Sequence, residues 1–334
     1  MNDEGVAPVL CDRCAGVATG RARRSMNMGI LYKSPATTIL LAINILVFIL
    51  QQIPGLYVTF WGENIGPFTL SGQYWRLFTA GFLHGGIFHI GLNMWCLWSL
   101  GRLSERLFGK WQTFLIYMLT GVGGAMLSIA YDHGRQELGA SGAIFGIVGA
   151  VIAGVKFGNL DISSGEKRAI LSSSISFAVL NFVLSLPSVG MFANIDNMCH
   201  LGGFVTGLLI GLPLGAFSRN RVMQLATFMV TSVVLVAAGR ELIQANGPAA
   251  QKTVARMAYQ SGDYVWASEL LEKYIVSNPN DEEALLALGN SYLETGHQDR
   301  AVVAFQLALK ANPASTQAKD ALDELKAPTA PNQK

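Results

Sequence analysis

The sequence predicts an all-α protein: a polytopic membrane helix bundle, with a six-helix core plus a seventh helix, carrying a small helical repeat domain. Three observations predict it. Only 14% of the 334 residues are charged, where soluble domains average about 25%, and the deficit falls on residues 37–243. Within that stretch seven apolar runs, at about 37–53, 84–100, 111–130, 141–156, 169–186, 200–217 and 222–239, approach the ~20 residues needed to cross hydrocarbon. Beyond them Gly262, Ala267 and Pro279 recur 34 residues later as Gly296, Ala301 and Pro313.

Residues 1–36 read as a basic cytoplasmic tail with Arg21, Arg23 and Arg24. They are mostly polar and form no signal peptide. Cys11 and Cys14 supply two thiolates, whereas a structural zinc site wants four ligands. The next His and Cys, His84 and Cys96, fall in apolar runs. The pair is therefore a weak half-site, completed only by a second chain, and no other metal and no cofactor is expected. Cys96 and Cys199 sit at apolar helix positions as small core residues, and no disulfide framework is implied.

Residues 37–218 form the expected membrane core. Thirteen Lys and Arg lie before the first run, between the second and third, between the fourth and fifth, and after the sixth; the opposite linkers hold only Arg76 and Arg135. The positive-inside rule puts the N-terminus in the cytoplasm, and seven crossings put the C-terminus outside, in the plasma membrane by expectation. The linker over 54–83 contains Trp61, Phe68, Tyr74, Trp75 and Phe78. It reads equally as an interfacial aromatic belt and as a helical hairpin lying half in the outer leaflet. The fifth run holds Ser172, Ser173, Ser174, Ser176 and Asn181, which suits either a movable helix or a polar face against the bundle interior.

Residues 219–245 are expected to hold a linker and the seventh helix, weakened by Gln224. At Asn246-Gly247-Pro248 the composition changes. Leu285, Leu288-Gly289, Tyr292, Ala301, Phe305, Ala308 and Pro313 have the spacings of a tetratricopeptide repeat, a helix-turn-helix unit of 34 residues. A first unit over 248–281 is degenerate, and 314–326 read as a capping helix. The repeat domain spans 246–326, and 327–334 is read as a flexible tail.

Polar residues inside spans are expensive and functional candidates. His89 and Asn93, four apart, share one helix face. Ser141 opens the fourth run and His200 the sixth. In the topology above the second, fourth and sixth runs point the same way, so all four residues fall in one layer near the outer surface. Each one alone reads as interhelical hydrogen-bond glue; four in one layer, with a Ser and a His among them, read as a site. Gly142, Gly146, Gly149 and Ala153 on one helix, and Gly203, Gly207 and Gly211 on the other, form small-residue stripes that permit close backbone approach. Phe145, one turn below Ser141, is expected against the His200 ring.

At these residues the chain resembles the rhomboid intramembrane serine proteases. The matching motifs are Tyr74-Trp75-Arg76, His84-Gly-Gly-Ile-Phe-His89-Ile-Gly-Leu-Asn93, Gly139-Ala-Ser141-Gly142 and His200-Leu-Gly-Gly203-Phe-Val-Thr-Gly207. The resemblance implies that Ser141 is the nucleophile and His200 its general base, as a dyad. It implies an oxyanion hole of His89, Asn93 and the Ser141 N–H. The substrates would be transmembrane proteins cut near the outer leaflet. Cys199 stands where Ala is frequent in the family. Asp196, four residues before His200, reads as a helix cap rather than a third catalytic member. The partners expected are transmembrane substrates, the lipid bilayer and a protein or peptide held by the repeats, with no nucleic acid. The competing readings are a catalytically silent receptor or scaffold acting through the repeats, and a proton-relaying transporter. No acidic residue inside the spans supports the transporter.

Overall fold

The computed structural model describes residues 34–184 and 195–326. The tail with Cys11 and Cys14, the end of the fifth run and the 327–334 tail lie outside them. Seven helices occupy the seven apolar runs, and the last of them continues into a helical array.

The first helix, α1 (Pro35–Gln51), opens with proline at its first position, where the missing N–H costs nothing. Its free amides are capped from another helix: Glu105 accepts from the Ala36 and Thr37 N–H groups, each at 3.0 Å, and from the Thr37 hydroxyl at 2.7 Å. A carboxylate at a helix N-terminus is favoured by the helix dipole as well as by the hydrogen bonds. Glu105 lies on α5 (Ile87–Phe108), below.

The aromatic linker folds as a chain of short elements: α2 (Val58–Gly62), β1 (Asn64–Ile65), α3 (Gly66–Leu70), α4 (Arg76–Thr79) and a 3₁₀ turn over Ala80–Phe82. Arg76 holds it together from inside. Its side chain is fully buried and donates to the Phe60 and Glu63 carbonyls at 2.8 and 2.7 Å and to Gln73 Oε1 at 2.7 Å. Tyr57, Phe60, Trp61, Tyr74, Trp75 and Phe78 stay exposed, which suits the aromatic-belt and the hairpin readings alike.

The second apolar run becomes α5, which begins at Ile87. His84 therefore precedes the helix rather than standing within it. The helix extends to Phe108, so Arg102 and Arg106 lie on it and not in a linker; only Gly109 separates it from α6 (Lys110–Tyr131). Then come β2 (Gln136–Glu137), α7 (Ser141–Phe157), α8 (Ser164–Leu184) and α9 (Asn197–Ala216). α7 is the central helix, buried along nearly its whole length between α6 and α9. The other helices shed polar contacts inward, such as Ser104 to Thr113 at 2.8 Å and the Thr120 hydroxyl to the Ile116 carbonyl at 2.6 Å. Their large apolar side chains face outward: Leu46, Trp95, Trp111, Leu209 and Val233 are all exposed. An apolar exterior round a polar-bonded interior is the pattern of a bundle solvated by lipid. Among the described residues, α6, α9 and α10 (Arg221–Gln260) are long and apolar enough to cross a membrane, and α1 and α7 are shorter apolar helices. The protein is an integral membrane protein.

α10 overturns one expectation of the sequence. It runs unbroken for 40 residues, straight through Asn246-Gly247-Pro248, where a break between membrane span and repeat domain is expected. The reason is packing. A Cβ on Gly247 would lie 3.3 Å from the Leu70 carbonyl, so glycine there serves close approach to α3 rather than a turn. Ala250, Leu70 and Ile129 form a small core at that crossing, with Leu242 and Ile243 beside it. The C-terminal half of α10 then packs with α11 (Tyr264–Ser277), followed by α12 (Glu282–Glu294), α13 (Gln298–Ala311) and α14 (Thr316–Lys326). Their shared core includes Val254, Leu271, Leu288, Tyr292, Phe305 and Leu322. Trp266 of α11 stacks on Phe68 of the aromatic loop, ring centroids 5.9 Å apart and planes 5° from parallel.

Candidate active site

The site forms where the N-termini of α7 and α9 meet the loop before α5. The first two of these segments are joined by backbone contact, and the contact is made by glycine. A Cβ on Gly203 would collide with the carbonyl of Gly142, one on Gly207 with that of Gly146, one on Gly211 with that of Ala150, and one on Gly215 with that of Gly154. The two helices therefore touch at four successive turns, with no side chain between them. Gly149, also read in the small stripe, meets the Phe204 carbonyl instead.

This interlock sets the level of the polar residues. Ser141 is the first residue of α7 and His200 lies in the first turn of α9. The His200 ring is stacked on Phe145, centroids 4.2 Å apart and planes 12° from parallel, so the phenyl ring one turn below Ser141 fixes the imidazole plane. The Ser141 hydroxyl and the His200 ring are not hydrogen-bonded to each other, and His200 Nδ1 has no partner among the described residues.

His89 comes in from the first turn of α5. Gly139, at φ +136°, occupies a backbone region closed to most side chains, and space imposes glycine there too. A Cβ would stand 2.9 Å from His89 Cε1 and Nε2, and 3.8 Å from Ser141 Oγ. The imidazole edge of His89 thus lies across Gly139 from the serine. His89 Nδ1 accepts from the Gly85 N–H at 3.3 Å, which leaves Nε2 as the nitrogen turned to the site. Asn93, one turn along, is buried and its Nδ2 donor is unpartnered. α7 starts at Ser141, and Ala140 before it offers no side-chain cap; of the first-turn N–H groups, that of Gly142 is turned to the Cys199 sulfur. Unpaired buried donors cost free energy in a finished core. Asn93 Nδ2 and His200 Nδ1 are two such buried atoms.

Asp196 caps α9, accepting from the Met198 and Cys199 N–H groups at 3.1 and 3.0 Å. It also accepts from the Ser128 hydroxyl and lies 3.4 Å from Arg135 Nε.

Sequence reasoning missed Glu137 and Asn64. β1 and β2 pair antiparallel, Asn64 opposite Glu137, which ties the aromatic loop to the segment leading into Ser141. The Asn64 amide donates to Glu137 Oε2 at 2.9 Å, and the Cys199 thiol donates to Oε1 at 3.2 Å. Burial pushes the Glu137 carboxyl up to about 7, against the pull of those two hydrogen bonds. The available signal was an acidic residue two positions before Gly139-Ala-Ser141.

Residues 71–217 match the family model described as the Rhomboid domain. The chain is 29% identical over 298 residues to the protein named Rhomboid protease GluP of Bacillus subtilis (strain 168), covering 84% of this chain and 55% of that one. It is 37% identical over 140 residues to RHOMBOID-like protein 1 of Arabidopsis thaliana, covering 42% of this chain and 34% of the relative. It is 33% identical over 152 residues to Rhomboid-type serine protease 2 of Emericella nidulans, 45% of this chain and 29% of the relative. The chain thus spans about half the length of the first of these relatives and about a third of the other two.

Proposed function

We propose that the rhomboid domain carried by this chain is an intramembrane serine endopeptidase that cleaves transmembrane protein substrates. Ser141 is the nucleophile and His200 the general base. A serine hydroxyl is a weak nucleophile until a neighbouring base takes its proton, and neutral imidazole has the basicity to do so near neutral pH. As Ser141 Oγ attacks the scissile carbonyl, the proton passes to His200; the imidazolium then protonates the leaving amine. Water attacks the acyl-enzyme with His200 again as base. The oxyanion of each tetrahedral intermediate is received by His89 Nε2–H, Asn93 Nδ2–H and the Ser141 N–H, all preorganised before reaction. His89 is on this reading the tautomer protonated at Nε2, consistent with its Nδ1 accepting from Gly85.

The observations that support the reading are the uncapped α7 N-terminus at Ser141, the His200 ring clamped by Phe145 one turn below it, and the buried Asn93 donor left without a partner one turn from His89. The helices α11–α14, with the spacing of tetratricopeptide repeats, are on this reading a docking surface for a protein or peptide. A silent receptor acting through these helices alone is the alternative. It gives no reason for the buried Asn93 Nδ2 and His200 Nδ1 to be left without partners.

The deciding experiment is fluorophosphonate labelling of the purified full chain, with cleavage of a model transmembrane substrate measured in parallel. Wild type should take the probe at Ser141 and cleave. Ser141→Ala and His200→Ala should do neither while melting like wild type, and the double variant should be no worse than either single one. Cleavage by Ser141→Ala at the wild-type rate would end the protease reading.

A further inference from the structure

Glu137 takes no part in the chemistry above, yet both of its oxygens are engaged and both partners matter to the site. Asn64 belongs to the aromatic loop that covers the bundle; Cys199 is the residue before the base. The thiol also lies against α7: a Cβ on Gly142 would stand 2.6 Å from Cys199 Sγ. Movement of Cys199 therefore moves the α7–α9 contact at the level of Ser141 and His200.

We propose that Glu137 is a positioning residue, a proton-sensitive latch whose carboxylate ties Asn64 of the loop to Cys199 beside the base and so seats His200 for turnover. The inference rests on the protease reading of Ser141 and His200. The hydrogen-bond directions define the latch. Asn64 Oδ1 already accepts from the Thr69 hydroxyl at 2.7 Å, which fixes the amide with its NH₂ toward Glu137. A carboxylate accepts from that NH₂ on Oε2 and from the thiol on Oε1. A proton on Oε2 would face the amide donor, so the acid form carries it on Oε1. There it turns the thiol from donor to weak acceptor and loosens the link to α9.

The groups acting on this carboxyl are few. From α9 come Cys199 and Asp196, from its own segment Arg135, and from β1 the neutral Asn64. The negative Asp196 is itself occupied by Ser128, Arg135 and the α9 amides. Burial, the dominant influence, holds the carboxyl near neutrality, where cellular pH changes move its charge. The sign for stability is opposite to that for turnover. A carboxyl raised in the fold above its ordinary value stabilises the fold when protonated, and that contribution is lost as pH rises through about 7. The catalytically seated form is thus the less stable one.

The test uses the full chain in proteoliposomes, comparing wild type, Glu137→Gln, Cys199→Ala and Cys199→Ser from pH 5.5 to 8.5. Glutamine has the shape and donor pattern of the protonated acid. Glu137→Gln should therefore be about tenfold or more slower in kcat than wild type at pH 8, with KM little changed. The gap should close towards pH 6, because about 90% of a group titrating near 7 is already protonated there. Cys199→Ala should copy this behaviour, and Cys199→Ser, whose hydroxyl also donates, should restore the wild-type profile. The melting temperature supplies a readout independent of activity: it should fall in wild type as pH rises through 7 and lose that slope in Glu137→Gln. A rate ratio constant across pH would make Glu137 merely structural and overturn the latch. So would a wild-type profile in Cys199→Ala. If wild type neither cleaves nor labels at Ser141 while the melting slope depends on Glu137, the carboxyl titrates as described but the protease reading fails, and the role in turnover falls with it.

Discussion

Gly203→Ala tests whether the backbone contact between α7 and α9 sets the catalytic geometry. The added Cβ would sit 2.7 Å from the carbonyl carbon of Gly142 and nearer still to its oxygen. Ordinary contact begins at 3.4 Å and the oxygen would lie at 2.0 Å, so the helices must part by about 1.4 Å at this level. No flexible side chain lies between them to yield instead. The displacement falls one residue from Ser141 and three from His200. Misplacements approaching 1 Å cost roughly 10²-fold in rate, and overpacking a tight core costs about 1–3 kcal/mol. The substituted enzyme should thus lose on the order of 10²-fold in kcat, with a lowered but cooperative melt. The control is Gly91→Ala on α5, between His89 and Asn93, where a Cβ meets nothing within 4 Å; it should cleave and melt like wild type. Steady-state cleavage and the rate of fluorophosphonate labelling report the two variants side by side. If Gly203→Ala turned over within threefold of wild type, the interlock would not be what aligns the dyad.

His89→Ala and Asn93→Ala should each lower kcat by ~10²–10³-fold, the usual cost of one oxyanion donor, and leave KM close to wild type; unchanged rates in both would return the pair to interhelical glue. Orientation is read by a cysteine introduced at Gln260 in a background without native cysteines: labelling by a membrane-impermeant maleimide in intact cells is the expected result. Labelling only after permeabilisation would put α11–α14 on the cytoplasmic side.

The features legible in the sequence were those with a period. Gly142 and Gly146 facing Gly203 and Gly207 are four-residue repeats, and a helix converts that spacing into a face. The Phe145–His200 stack followed from the same arithmetic, one turn below Ser141 on the facing helix. What stayed hidden has no period. Two-residue strands carry no alternation to detect, so the Asn64–Glu137 pairing, and with it the route from the loop to Cys199, appears only in three dimensions. Glu105 likewise caps a helix 68 residues away, a relation no local window contains. Gly247-Pro248 is the opposite case. Its local chemistry says turn, but contact with Leu70 and burial of Ala250 hold the helix through it. His84 stood in an apolar run, yet the paired glycines after it delay the helix to Ile87, leaving its ring edge-on to His89 at 5.1 Å.

The unbroken helix from Arg221 to Gln260 has a consequence for reach. Forty residues of α-helix measure about 60 Å, and a hydrocarbon layer accounts for about 30 Å of that. The remainder is a strut, held against Leu70 of α3 at Gly247 and Ala250, while the next helix, α11, is stacked on Phe68 of the same α3 through Trp266. On the docking reading, a cargo held by α11–α14 would not wander over a sphere as it would on a glycine-serine tether. It would stand at one bearing and one distance from the helix bundle. For a rigid mount the local concentration of a tethered segment is high only when its own length matches the span, and close to nil otherwise. On the reading of α11–α14 as a docking surface, the strut would act as a gauge, favouring clients whose gripped portion and membrane segment are separated by a set length of chain.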